Sequence, residues 1–345
     1  MRRDSLARVW FESWSSVACV GLRCVGLFCV GLFCVGLFCA GILAGQARGD
    51  IAVHADGRRE VVEQPAKDSK GQWMGTIDGR RQRLVPGEVV ALLDGEGVET
   101  SLVPELGSAP KSAEQDALLA QLSDPKNDNW FLAATQIAAP PTRAVHDALL
   151  ELCGAKRKEL RARAIAALTR LRTKESSLAA ARAVLDEKDA KTRRDAAAAL
   201  FSVREILRRC DAAELVQEGL ADSDALVRIE FALVAPHDLA LASEVLRKEG
   251  LRHSDHHVRE SAAVELGRRG DAAGIGVLTA MLARTSLPGL DTDVETATRV
   301  LVAEQVDVCE ILGRLGGDAA KAALSKAKAN SPHEAVRKAA EAALK

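Results

Sequence analysis

The 345-residue sequence has no tyrosine, and aromatic residues make up only 3% of it. Its 48% hydrophobic content is therefore mostly Ala, Leu and Val, which suits close-packed helices rather than a large sandwich or barrel. An excess of charge is also missing, since 47 Lys and Arg meet 48 Asp and Glu, a formal net charge of −1. That balance leaves no electrostatic footprint for nucleic acid. Catalytic signatures are absent too: there is no Cys-x-x-Cys-His haem motif, no Gly-rich phosphate loop and no Gly-x-Ser-x-Gly elbow. Of eight cysteines, five fall in one N-terminal run. Cys153, Cys210 and Cys309 are spaced too widely for a disulfide framework or a zinc site.

What is present begins with an address. Arg2, Arg3, Arg8 and Arg23 outweigh Asp4 and Glu12, and residues 24–45 carry no charge. Cys-Val-Gly-Leu-Phe copies fill the apolar run, and small residues at Gly45 and Ala47 end it before Arg48. The pattern reads as a signal peptide over 1–47, cleaved after Ala47. An uncleaved membrane anchor through 24–45 is the rival, because the run is about long enough to span a bilayer. The five cysteines, spaced by five, spread around a helix and build no site. The expected location is periplasmic or extracellular in a bacterial cell, with membrane contact only if the segment is retained.

Residues 48–105 read as a small β module. Short β-prone runs at 51–54, 60–63, 72–77, 82–85 and 88–93 alternate with Asp-Gly and Pro-Gly turns, the strongest short-range hairpin signal. Four or five strands in so short a stretch suggest a curled sheet or SH3-like barrel. Trp73 with Arg80, Arg81 and Arg83 could form a basic-aromatic patch, but Trp73 as core with arginines on a solvated edge is favoured. The eight Lys and Arg of the module against eleven Asp and Glu do not favour a polyanion. Residues 106–115 read as a linker.

From 116 to 345 the chain repeats itself. Arg161, Arg193, Arg228, Arg259 and Arg337 anchor similar helices, with Phe131 and Gln305 in two degenerate copies. Three residues after each anchor stand Ala134, Ala164, Ala196, Phe231, Ala262, Val308 and Ala340. Seven after it stand Ala138, Leu168, Leu200, Ala235, Leu266, Leu312 and Leu344. All are apolar and share one helical face, so each copy buries that face. Second helices are expected near 176–185, 211–220, 239–247, 271–283 and 318–328. Asp189, Asp224 and Asp255, four residues before their anchors, suit N-caps, with the anchor arginine reaching its own Asp or the next repeat's.

The pattern Val-Arg-x-x-Ala-Ala-x-x-Leu-Gly-x-x-Gly at 258–270, followed by Asp271-Ala272-Ala273 and Leu278, resembles HEAT repeats of the phycobilisome-lyase type. The resemblance covers about 111–345. It implies a mainly α fold, an α-solenoid of paired antiparallel helices in which one helix of each pair lines a surface used for partners.

Chemistry within the array is weighed at two places. His253, His256 and His257 with Asp255 form the densest set of potential metal ligands, and a solvated polar turn is the favoured reading. Deoxyhypusine hydroxylase resembles these repeats but carries His-Glu directly after Val-Arg. Here Val258-Arg259 is followed by Glu260-Ser261, and the single His333-Glu334 pair precedes its anchor. Bilin lyase activity has no support beyond the repeat. The step from Arg259 to Gln305 is longer than its neighbours, and Leu287, Pro288, Gly289, Leu290 and Asp291 in that excess form a candidate partner-binding loop. The expectation is an exported scaffold for an unidentified protein partner, with no cofactor, metal, catalytic residues or nucleic acid. A metal-dependent enzyme or lyase-type accessory protein using the turn from His253 to His257 is the alternative.

Overall fold

The computed structural model describes residues 50–345 apart from 58, 78, 95, 139 and 288–293. The expected signal or anchor at 1–47 lies outside these residues. Among them no helix is long and apolar enough to cross a membrane.

The chain opens with six antiparallel strands: β1 (Asp50–His54), β2 (Arg59–Lys67), β3 (Trp73–Ile77), β4 (Arg80–Arg83), β5 (Val89–Leu93) and β6 (Glu99–Ser101). Their order in the sheet is β4-β3-β2-β1-β5-β6, which leaves β4 and β6 as edges. Gly79, at φ 72°, turns β3 into β4 in a left-handed conformation that glycine adopts without a side-chain clash. The β-prone runs of the sequence end at Leu93, and β6 lies beyond them. All three residues of β6 are exposed, so no apolar alternation marks them. The turn before it is held by Asp94, whose Oδ1 accepts from the N–H groups of Glu96 and Val98.

Both faces of the central strands β1 and β5 are covered. Ala52, Val62, Leu84, Val89, Leu92 and Leu102 pack on one side with Trp73 and Ile77. Val53, Ala55, Val90 and Ala91 belong instead to the main helical core, among Leu168, Leu171, Leu200 and Leu207. The segment after β6 is tied down as well: Gly107 donates to the Pro141 carbonyl and accepts from the Arg143 N–H.

The rest is helical: α1 (Ala113–Ser123), α2 (Trp130–Gln136), α3 (Arg143–Cys153), α4 (Lys158–Leu171), α5 (Lys174–Asp186), α6 (Ala190–Ala197), α7 (Arg204–Arg208), α8 (Ala213–Leu220), α9 (Ala225–Val234), α10 (Ala240–Lys248), α11 (His256–Arg268), α12 (Ile275–Leu282), α13 (Val294–Leu315), α14 (Gly317–Asn330) and α15 (Glu334–Ala343). The anchor helices α4, α6, α9, α11, α13 and α15 pack in series, and the second helices α3, α5, α8 and α10 form a parallel row. The fold is thus an α-solenoid of HEAT-like helix pairs preceded by a small antiparallel sheet. Of the fourteen positions expected to face inward, only the terminal Ala138 and Leu344 are not fully buried.

Two spacings find their explanation. The 35 residues between Arg193 and Arg228 include a 3₁₀ turn (Ala198–Val203) and the short α7, which carries the chain out to meet the sheet. The longer step to Gln305, expected to hold an inserted loop, is largely helix. Helix α13 runs for 22 residues from Val294, with Gln305 at its middle. No glycine or proline interrupts 294–312, so the helix has no local reason to start later.

Candidate partner-binding surface

The anchor arginines hold turns. Nη1 of Arg161, Arg193, Arg228, Arg259 and Arg337 donates to the carbonyl six residues earlier, at Ala155, Glu187, Asp222, His253 and Ser331. Asp189, Asp224 and Asp255 cap their helices, accepting from Thr192, Leu226 and His257 respectively. The expected pairing of each arginine with its own capping Asp does not occur. The arginines reach across to the next unit instead: Arg161 to Glu187 at 2.6 Å, Arg193 to Asp222 at 2.9 Å and Arg228 to Glu249 at 2.7 Å. The next unit's capping Asp is met by the anchor's neighbours, Lys158 on Asp189 and Arg194 on Asp224. Arg259 makes no such ion pair among the described residues.

This turn also accounts for the histidines. Glu187 and Asp222 accept the N–H of the capping residue two positions on. His253 fills the same place, its Nδ1 accepting from the Asp255 N–H at 3.1 Å. The rings of His256 and His257 lie 3.9 Å apart, and burial followed by the His256 charge lowers the His257 pKa. Among the described residues no group of three or more His, Cys, Asp or Glu side chains converges as a metal site. His333 stands before α15 as its N-cap residue and Glu334 pairs with Lys338. Burial pushes the thiols of Cys153 and Cys309 up to about 12 and raises that of Cys210, so none is primed as a thiolate. Of the candidate loop, Leu287 is partly buried, while Pro288, Gly289, Leu290 and Asp291 lie outside the described residues.

Where α7 meets the sheet, the chain buries a knot of charge that sequence reasoning missed. Helix α9 ends at Ala235-Pro236 without a glycine cap, leaving carbonyls in the core that need donors. Arg208 donates to the carbonyls of Leu233 and Ala235, and Arg269 to those of Ala232, Ala235 and Pro236. Glu265, fully buried, balances both, at 2.5 Å from Arg208 and 3.0 Å from Arg269. Glu205 bridges Arg208 and Arg209, while its N–H donates to Ala55 of the sheet. Arg209 reaches Glu99 of β6 at 3.0 Å, and Arg172 at the end of α4 reaches Glu88 at 3.2 Å. Gly57 stands at φ 80°, where a side chain is strained, and a Cβ there would also press 2.3 Å from the Arg204 guanidinium. The sheet is therefore built into the edge of the stack.

One carboxyl beside this knot lacks a partner. Glu230 Oε2 is buried without a hydrogen bond, and burial pushes its pKa up to about 8 despite the Arg204 charge. Between pH 4.5 and 8 the unfolded chain ionises this group and the folded chain does not, so stability falls as pH rises through that window. Glu230→Gln is expected to match the parent at pH 4 and to exceed its stability at pH 8. Urea titrations at the two pH values test this, and identical pH profiles for the two proteins would refute it.

An open cleft lies on the second helices. A cleft of about 530 Å³ separates α5 from α8, lined by Leu178, Ala179, Arg182, Asp211, Glu214 and Leu215. Thr173 and Ser176 form a capping box that fixes the start of α5, whose Ala180, Ala181 and Val184 turn inward. On α8, Val216, Gly219 and Leu220 are buried, and a Cβ on Gly219 would lie 2.1 Å from the Phe231 ring. That close approach sets how deep α8 sinks and so how open the cleft is. Arg182 and Glu218 bridge the two helices at 2.7 Å. The lining is mixed, with Leu178, Ala179 and Leu215 beside Arg182, Asp211 and Glu214.

No protein-family model matches the sequence, and no curated protein matches it. Among solved structures, the chain is similar to YibA of E. coli at 18% identity, over 67% of this chain and 81% of that one, with a TM-score of 0.42. It is also similar to human deoxyhypusine hydroxylase in complex with glycerol, at 18% identity over 67% of this chain and 94% of that one, with a TM-score of 0.28. The fold assignment rests on the helix pairing above, and neither likeness adds to it.

Proposed function

We propose that this chain is an exported scaffold of the HEAT-repeat type that binds another protein through its second-helix row and performs no catalysis itself. The observation that carries the reading is the cleft between α5 and α8, where Leu178 and Leu215 are left partly open beside Arg182, Asp211 and Glu214. The conspicuous polar groups elsewhere already have structural work: the anchor arginines hold turns, His253 completes one, and the buried knot caps α9.

Leu215 is part open to the cleft and part packed on the core, so a charge there is read together with circular dichroism, which checks that the fold is kept. Leu215→Arg is expected to weaken capture of the partner at least about tenfold, as burial of a cation against an apolar surface costs more than about 1.4 kcal/mol. Leu132→Arg, at an exposed leucine on α2, serves as the surface control and keeps binding. Pull-down from native cells with both variants measures this; equal loss, or no loss, in the two variants counts against the cleft. Metal analysis of the purified protein guards the enzyme alternative, since stoichiometric zinc or iron that disappears in His256→Ala would overturn the scaffold reading.

A further inference from the structure

A second surface lies on the sheet, away from the cleft. Of its two edges, β6 is engaged, with the Glu99 carboxylate on Arg209 of the solenoid. The other edge, β4, is exposed along all four residues, Arg80, Arg81, Gln82 and Arg83. None of its three arginines has an ion pair, hydrogen bond or ring contact among the described residues. This is unusual in a chain whose other arginines are so often committed to carboxylates or carbonyls.

The main chain of β4 is equally uncommitted. Leu84 N–H donates to the Trp73 carbonyl, and the register then pairs Gln82 with Gly75 and Arg80 with Ile77. Hydrogen-bonded pairs alternate along an antiparallel ladder, so Leu84, Gln82 and Arg80 bond inward to β3. Arg81 and Arg83 sit between them, and their own N–H and C=O groups point outward from the sheet. The free edge thus offers two donor–acceptor sets, each flanked by a guanidinium. Lys67, stacked 5.5 Å over the Trp73 ring, adds a cation on the neighbouring strands.

We propose that β4 is a docking edge for an extended acidic segment of a partner protein, added as a seventh strand. Main-chain bonds to Arg81 and Arg83 supply the pairing, and alternate Asp or Glu side chains of the incoming strand meet the arginines. A row of arginines keeps two copies of this edge apart by like-charge repulsion, which is how charged edges prevent self-pairing. The same charge favours a strand of opposite sign. The chain's own residues 1–49 do not supply it, because their charges are mostly basic.

The test uses the full chain and a synthetic fluorescent hexapeptide alternating Glu and Val, read by anisotropy. The expected result is saturable binding, at least about tenfold weaker for the matching Lys-Val peptide and for the double variant Arg81→Glu, Arg83→Glu. Arg81→Pro is the sharper probe. It removes an outward N–H that β3 does not use, and proline is tolerated at such edge positions, so the fold should survive by circular dichroism while peptide binding is lost. Binding that persists in Arg81→Pro, or equal binding of the Lys-Val peptide, overturns strand addition. Heparin binding that survives Arg81→Pro, with no binding of the Glu-Val peptide, also overturns it by marking a patch for diffuse polyanions. Should Arg81→Pro fail to fold, the double charge variant decides alone: peptide binding unchanged in it contradicts the proposal.

Discussion

Replacing Glu265 by alanine is expected to lower the free energy of unfolding by about 3–5 kcal/mol, the usual cost of removing one partner from a buried ion pair. The reason is specific to this fold. Arg208 and Arg269 come from units on either side of α9 and are held in the core because they cap its last carbonyls. Without Glu265 both guanidinium groups remain buried beside those carbonyls with less compensating charge. Leu132→Ala, at an exposed site, should by comparison change stability by less than about 0.5 kcal/mol. Urea unfolding at pH 7 compares the two. A Glu265→Ala loss below about 1 kcal/mol would mean that the knot is not the clamp described here.

The same group sets the acid limb of stability. Burial by itself would raise the Glu265 pKa, but Arg208, Arg204 and Arg269 outweigh it and hold the carboxyl below its ordinary 4.5. Glu205 is likewise held at about 2 against burial by Arg208 and Arg204. Both are depressed in the folded state, so their contribution is present above pH 4.5 and lost as pH falls through the folded values. The acid limb should accordingly flatten in Glu265→Ala.

Deleting residues 50–101 is the second large expected effect. Val53 and Val90 are fully buried in the helical core, each stabilising by about 1.5–3 kcal/mol if it is exposed in the unfolded chain. Removing the sheet also strips Glu88 from Arg172 and Glu99 from Arg209, and uncovers Arg204 and Glu205. The truncated solenoid should keep helical far-ultraviolet dichroism but bind a hydrophobic dye and unfold over a broad range. A truncated protein that unfolds as sharply and at the same urea concentration as the parent would show the sheet to be an appendage. The deletion is therefore a test of folding and not a clean test of which part binds. Point changes at Leu215 and Arg81 separate those questions.

The repeat was legible because its signal is periodic. Ala164, Ala196, Phe231, Ala262, Val308 and Ala340 mark the same inward face, one in each helix pair, and each is buried. The second helices likewise fall close to where their patterns place them. What escaped detection depends on contacts between residues far apart in sequence. Nothing near Arg208 tells that it serves a helix that ends 26 residues later, or that Glu265 lies beyond that helix. Two local hints did exist. The unbroken run Val89-Val90-Ala91-Leu92-Leu93 does not alternate, as a strand covered on both faces would not. The step of 35 after Arg193 held the extra turn that meets the sheet. The capping Asp residues were readable from spacing, while their arginine partners shifted to the next unit because the stack sets those distances.

The cleft is the least legible feature, since it arises from how deeply α8 sinks through Gly219 onto Phe231. It also carries the functional claim, and a crosslinking measurement tests it most directly. A photoreactive amino acid placed at Leu215 in the full chain, irradiated in native cells, should give one discrete protein adduct. The same group placed at Leu132 should give none. An adduct from Leu132 and none from Leu215, or no adduct from either, would contradict binding through the second-helix row.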